Sequence, residues 1–153
     1  MRVAIVERRT IHKEGESSAK RLHTVAELVA MKGHAVSFYC LRWWEEEDRE
    51  KIHNGVRYYA ISEDIEDVEW RFAAQLPSKI KEYEPDVIIA DGTERAVVMG
   101  SKFTCLFLRK PLILDFYKQI KIGKGSKRKS ELIMGLADLV VVPSEMVQTS
   151  VIE

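Results

Sequence analysis

The sequence predicts an α/β domain in three layers, with helices on both faces of a mostly parallel sheet of six or so strands. Two observations predict it. Short unbroken apolar runs recur along the chain, and between them apolar residues fall at helical spacing. A strand covered on both faces reads as an unbroken apolar run, whereas a helix lying on a sheet keeps one apolar stripe. Strands that alternate with helices lie parallel and are joined by right-handed crossovers. The 153 residues make room for one such doubly wound domain, since domains cluster near ~100–150 residues.

Val3–Val6 opens the chain as the first strand. After a polar loop, Leu22, Val25, Ala26 and Val29 give a helix one apolar face. Ser17 or Ser18 can cap its start, and Gly33 stands where a left-handed residue would stop it. Ala35–Cys40 is the second strand; Val56–Ile61 is the third, entered through Asn54-Gly55 and placed at an edge. Val87–Ala90, Leu112–Leu114 and Leu139–Val142 complete six. Between the third and fourth strands, Val68, Phe72, Leu76 and Ile80 keep a four-residue spacing with Pro77 among them. Proline removes a backbone donor and crowds the preceding turn, so a kink or two short helices is expected there. Further helices should fill Glu94–Leu108 and Lys127–Leu136. Glu145–Glu153 begins another behind Ser144, a natural N-cap. A domain rarely stops partway through such a helix, so residues 1–153 read as one domain of a longer protein.

Apolar residues make up 46% of the chain and charged residues 31%, a globular and not a disordered balance. Lys+Arg and Asp+Glu are equal at 24 each, which argues against a nucleic-acid partner. Cys40 and Cys105 form no CxxC or metal spacing and read as reduced, buried side chains. No metal and no cofactor is expected. No apolar run approaches the roughly 20 residues that a spanning helix needs. Met1–Glu7 meets charge too soon for a secretory leader, so a cytoplasmic location is expected.

Ligands of open α/β sheets bind beyond the carboxyl ends of the strands. The first loop there, Glu7–Ser17, is long for a connection that usually takes ~2–6 residues. Gly15, ahead of a helix start, would let backbone approach a phosphate, with Glu16, Ser17 and His12 beside it. It is a lone glycine and no GxGxxG, so a dinucleotide fingerprint is absent. Asp91 and Asp115 each follow a buried strand directly; such carboxylates act as a base or hold hydroxyls, or simply cap the next turn. We take Asp91 as the candidate catalytic residue and Asp115 as an acceptor ligand.

Neutral bulk charge hides a dipolar chain. From Arg109 to Lys129, eight cations face the single acid Asp115, a net +7; from Trp43 to Trp70, ten acids face three bases, a net −7. A basic loop at the ligand end, with Lys118, Lys121 and Lys124, suits a phosphorylated acceptor, a lipid diphosphate or an anionic membrane surface. The bland alternative is a solvated loop. Gly123–Lys127 lacks the first glycine of a GxxxxGK[ST] loop, since Lys118 occupies that place, which excludes a nucleoside-triphosphatase.

Four fragments resemble one family. Lys32-Gly33-His34-Ala35-Val36 resembles the "RGHEV" junction of GT-B glycosyltransferases, notably family 4. Asn54-Gly55-Val56-Arg57 resembles their "NGV" strand, and Glu84–Ile88 their "PDVIH" strand start. Ala137–Glu145 is similar to the "ADLVVVPSE" segment that closes their first domain. The fragments fall in the family's order across essentially the whole chain. The resemblance implies a Rossmann-like amino-terminal domain that holds the acceptor; Ser144 and Glu145, in the loop after the sixth strand at the ligand end, are taken as acceptor or phosphate ligands. It implies a nucleotide-sugar donor on a second domain carrying a Glu-x7-Glu motif, and retaining sugar transfer. On its own, such a half should be inactive. Where many relatives carry His-x-His at the end of the fourth strand, this chain has Ile89 and Asp91, so Asp91 takes over a polar role there or the acceptor chemistry differs. The implied partners are the donor and a sugar or lipid-phosphate acceptor, with peripheral contact at the inner membrane face left open.

Two other readings stay open. One is a stand-alone flavodoxin-like module that binds a small ligand. The other is a different GT-B enzyme, such as a sugar-nucleotide epimerase.

Overall fold

The computed structural model describes residues 1–9, 17–45, 47–62, 69–116, 132 and 134–142. In chain order the elements are β1 (Arg2–Val6), α1 (Ser17–Met31), β2 (Ala35–Leu41), β3 (Glu50–His53), β4 (Val56–Ser62), α2 (Glu69–Lys81), β5 (Val87–Asp91), α3 (Arg95–Leu108), β6 (Leu112–Asp115) and β7 (Leu139–Val141). They form one seven-stranded sheet in the order β3-β4-β2-β1-β5-β6-β7. Every pairing is parallel except that of β3 with β4. The strand order reverses between β1 and β5, which is where an open α/β sheet opens a crevice at its carboxyl edge.

Alternation along the strands feeds two separate cores. Val3 and Ile5 of β1, with Val36 and Phe38 of β2, pack against Leu22 and Ala26 of α1. Ala4 and Val6, with Tyr39 and Leu41, pack on the other face against Phe72, Leu76 and Ile80 of α2 and Val97, Val98 and Cys105 of α3. The three expected layers are therefore present. Cys40 and Cys105 are free and buried, as expected, and burial pushes the Cys105 thiol up to about 12.

Three expectations need correction. Among the described residues the sheet has seven strands, because Glu50–His53 adds one antiparallel to β4. Its polar residues, Glu50, Lys51 and His53, hid it inside an acidic run. Asn54 (φ 47°) and Gly55 (φ 78°) both lie in the left-handed region, as a two-residue hairpin turn of the primed type demands. β4 is consequently one strand in from the edge, and β3 is the edge. Last, of the two outcomes expected at Pro77, the pair of short helices is overturned: Pro77 lies inside the single helix α2.

Two more details position the site. Gly33 has φ 84° and ends α1 as the left-handed stop. Helix α3 crosses α2 closely at Gly100, where an added Cβ would stand 2.8 Å from the Ala73 Cβ and 2.9 Å from its carbonyl oxygen. That carbonyl is the one whose helical donor Pro77 removes. The helices expected over Lys127–Leu136 and Glu145–Glu153 lie mostly or wholly outside the described residues.

Candidate functional site

The carboxyl edge of the three central strands carries the chemistry. Val3 and Ile5 face α1, so the next residue in that alternation, Glu7, faces it too. The Glu7 backbone N–H donates to the Tyr39 carbonyl at 3.1 Å, which keeps β1 extended past Val6. Ile89 and Ile113 belong to the same face, which puts Asp91 and Asp115 there as well. Asp91 and Asp115 are register partners, and Val6 pairs with Ala90, so Glu7, Asp91 and Asp115 stand side by side on adjacent strands. All three are buried. Neighbouring strands lie only ~4.8 Å apart, and three ionised carboxylates at that spacing would repel strongly.

Arginines relieve part of the repulsion. Arg21, on the second turn of α1, grips Asp115 with two bonds: Nε to Oδ2 at 2.7 Å and Nη2 to Oδ1 at 3.0 Å. Arg8 grips Glu94 in the same way, at 3.0 and 3.1 Å, and Arg9 Nε donates to Glu94 Oε1 at 2.9 Å. Glu94 precedes α3 at its N-cap but makes no side-chain cap bond, because its carboxylate faces the two arginines. These hydrogen bonds hold the Arg8 and Arg21 guanidiniums above their ordinary range.

Glu7 and Asp91 are left without such a partner. Burial, then the nearby Asp91 and Glu94 charges, pushes the Glu7 carboxyl up to about 9. It is therefore protonated at neutral pH, and three acids (Asp91, Glu94 and Asp115) meet three arginines (Arg8, Arg9 and Arg21). Burial also raises Asp91, although Thr93 works against it by donating from its backbone N–H at 2.8 Å and its hydroxyl at 2.7 Å, both to Oδ1. Both Glu7 oxygens and Asp91 Oδ2 have no hydrogen-bond partner among the described residues. Leaving a buried polar atom unsatisfied costs about 1–3 kcal/mol, so such atoms at a ligand-binding edge mark a place prepared for a polar ligand. A protonated carboxyl both donates and accepts, and Asp91 Oδ2 accepts; together they suit a ligand with hydroxyl groups.

The walls are tight. An added Cβ on Gly92 would lie 2.7 Å from the buried Phe116 ring, so only glycine lets the β5 loop pass it. A small apolar cleft of about 140 Å³ runs beneath α1 between Arg21, Leu22, Val25, Ile89, Ile113 and Asp115. Among the described residues, no three His, Cys, Asp or Glu side chains are grouped to hold a metal ion. No helix among them is long and apolar enough to cross a membrane.

Of the candidates taken from the sequence, Asp91 and Asp115 come together on adjacent strands, and Ser17 opens α1. Asp115 is engaged by Arg21, whereas one buried oxygen of Asp91 has no hydrogen-bond partner among the described residues. His12, Gly15, Glu16, Lys118, Lys121, Lys124, Ser144 and Glu145 lie outside the described residues. Sequence reasoning passed over Glu7, Arg8, Arg9, Arg21 and Glu94. The signal for Glu7 was present: it directly follows the buried strand Val3–Val6, just as Asp91 and Asp115 follow theirs.

Residues 18–153 match the family described as Glycosyltransferase Family 4. No curated protein sequence matches the chain. Among solved structures, a glycosyltransferase from Rickettsia africae ESF-5 is similar in fold, with a TM-score of 0.71 at 16% identity over 99% of this chain and 39% of its own. A sucrose-phosphate synthase from Thermosynechococcus elongatus follows, with a TM-score of 0.67 at 11% identity over 97% of this chain and 43% of its own. A UDP-GlcNAc 2-epimerase from Methanocaldococcus jannaschii is more distant, with a TM-score of 0.54 at 9% identity over 99% of this chain and 42% of its own. The chain thus spans about two fifths of each of these proteins. With a family match over nearly its full length, and a doubly wound sheet shared with glycosyltransferase structures, the chain belongs to Glycosyltransferase Family 4.

Proposed function

We propose that the chain is the amino-terminal, acceptor-side half of a two-domain glycosyltransferase that moves a sugar from a nucleotide-sugar donor to an acceptor hydroxyl. The family match over residues 18–153 carries this reading. The coverage of about two fifths of each similar structure supports a second domain, which would hold most of the donor.

Asp91 Oδ2 accepts a hydrogen bond from the attacking hydroxyl, orients it and takes its proton as the new bond forms. The acceptor oxygen bonds to the anomeric carbon while the bond from that carbon to the donor phosphate breaks, and the nucleotide leaves with the electron pair. Glu7, neutral, donates to a neighbouring acceptor oxygen. Arg21 is fixed by Asp115, which positions it without touching the acceptor. Lys118, Lys121 and Lys124 hold an acceptor phosphate; charge reversal of Lys121 and Lys124 with no change in acceptor KM would remove that role.

The test is product analysis on the complete reading frame of the gene, supplied with UDP- and GDP-sugars. Nucleotide release that depends on added acceptor supports transfer. Release of free or epimerised sugar without acceptor supports the epimerase reading, and ligand binding without turnover supports a small-ligand module.

A further inference from the structure

The amino edge of the sheet, opposite the candidate site, holds a pocket that the proposed transfer does not use. Helices α2 and α3 both end there. The chain leaves each through a residue in the left-handed region, Glu84 (φ 49°) after α2 and Arg109 (φ 55°) after α3. The pocket encloses about 410 Å³ and is lined by Arg2, Lys81, Glu84, Pro85, Leu108 and Lys110. Small-molecule sites span ~300–1,000 Å³, whereas the cleft beneath α1 has only about 140 Å³. Pro85 is buried and Leu108 partly so, which gives the pocket an apolar wall.

Three cations and one acid face this space. Lysines at a helix C-terminus often serve only to offset its exposed carbonyls. Here the backbone meets those carbonyls itself. The Ile80 and Lys81 oxygens accept from the Tyr83 and Glu84 N–H groups, each at 3.1 Å, and the Cys105 oxygen accepts from Arg109 and, at 3.0 Å, from Lys110. The Lys81 and Lys110 ammonium groups are therefore not needed as caps. Arg2 meets Glu84 through one contact, Nη2 to Oε2 at 3.3 Å, and the Glu84 side chain is 74% exposed. Such a rim pair is weak. The nearby Asp86 is held elsewhere: its Oδ2 accepts from the Arg2 backbone N–H at 2.7 Å, and its own N–H donates to the Arg2 carbonyl at 2.7 Å. That exchange fixes the backbone from which Arg2 projects. A phosphate brings nearly two negative charges and three strong acceptor oxygens, which suit a guanidinium fork and two ammonium groups better than one exposed carboxylate does.

We propose that this pocket binds a small organic phosphate, with the phosphate between Arg2, Lys81 and Lys110 and the carbon body against Pro85 and Leu108. Arg2 begins β1 and Glu7 follows its end. Five residues at ~3.3 Å each put the two roughly 16 Å apart. The ligand therefore sits at the far end of the sheet from Asp91 and leaves the acceptor site open. The site stands on its own residues and does not depend on the transferase reading.

The experiment is isothermal titration calorimetry of the full chain with ribose 5-phosphate, and with ribose as the neutral control. Saturable binding of ribose 5-phosphate, one per chain, and none of ribose is expected. The double variant Lys81→Ala with Lys110→Ala should bind about tenfold more weakly. Glu84→Gln removes the competing carboxylate and should bind severalfold more tightly, a gain that damage to the fold would not give. It decides the matter should the double variant fail to fold: unchanged or weaker binding by Glu84→Gln then overturns the proposal. Absence of saturable binding overturns it too, as does equal binding of ribose. So does binding that survives in the double variant and is lost when Lys121 and Lys124 are reversed to Glu, which would assign the phosphate to the basic loop.

Discussion

Glu7 and Asp91 end adjacent parallel strands, β1 and β5, on the face of the sheet that α1 covers, and each carboxyl sits above its ordinary range. Burial is the larger cause for both, and the Asp91 charge adds to the rise of Glu7. Two acids in this relation share the consequences of any change in either one.

The first consequence is for stability against pH. In the folded protein the Glu7 carboxyl is pushed up to about 9 from its ordinary 4.5, so the folded protein holds a proton that the unfolded chain releases. Its contribution to stability is full below about 4.5 and is lost progressively as the pH rises through about 9. Glu7→Gln, which keeps the shape and cannot ionise, should flatten the fall. At pH 8 it should melt higher than wild type, by on the order of 1–3 kcal/mol in stability. Thermal melts of both proteins between about pH 5 and 9 check this; parallel curves would show that Glu7 does not carry the titration.

Asp91→Asn should keep the two bonds from Thr93, since the amide oxygen can accept both, and should lose the charge shared by the unpartnered Oδ2. In the complete enzyme, kcat should fall by ~10²–10⁴-fold if Asp91 acts as the base. A fall in acceptor affinity alone, with kcat preserved, would confine Asp91 to binding. Steady-state kinetics with varied acceptor separates the two.

Breaking the Arg21–Asp115 fork should matter more than an exposed ion pair does. The Asp115 side chain is 4% exposed and that of Arg21 32%, so removing Arg21 leaves a buried charge with nothing to meet it. Arg21→Met should cost about 1–3 kcal/mol, less than a fully buried pair because one partner reaches solvent. Asp115→Asn in the same background should recover part of the loss. Urea unfolding of the four proteins in that cycle gives the coupling, and strictly additive losses would mean that the fork contributes no stability.

Gly100→Ala tests the helix crossing. The new methyl would meet the Ala73 Cβ at 2.8 Å and its carbonyl at 2.9 Å, and overpacking of this kind costs ~1–3 kcal/mol. Ala73→Gly removes only the side-chain contact, so the double variant should recover part of the melting temperature. Full recovery would show that the Ala73 backbone sets no limit.

The layers of the fold were legible in the sequence because parallel strands buried on both faces leave no other pattern than Val3–Val6 or Val87–Ala90. β3 was not, since an edge strand needs only one apolar contact and its residues carry charge. The turn that makes it, Asn54-Gly55, looks in sequence like the approach to a strand, because the hairpin partner on its other side is polar. Half of the site was visible for a related reason. Asp91 and Asp115 stand out as polar residues directly after apolar runs, and Glu7 does so equally, although the long polar stretch behind it masks the pattern. Arg21 and Glu94 could not be found in this way. Each matters through a partner 94 and 86 positions distant, and such distances close only in three dimensions.

The hairpin through Asn54-Gly55 has a consequence for the behaviour of the protein in crowded solution. An unpaired strand is a template for another molecule's backbone, and long flat edges invite fibres. Among the described residues, one border of the sheet is the four-residue, largely polar strand Glu50–His53, and the other is the three-residue strand Leu139–Val141. Strands this short offer a neighbour little continuous pairing, so neither is a good template for polymerisation.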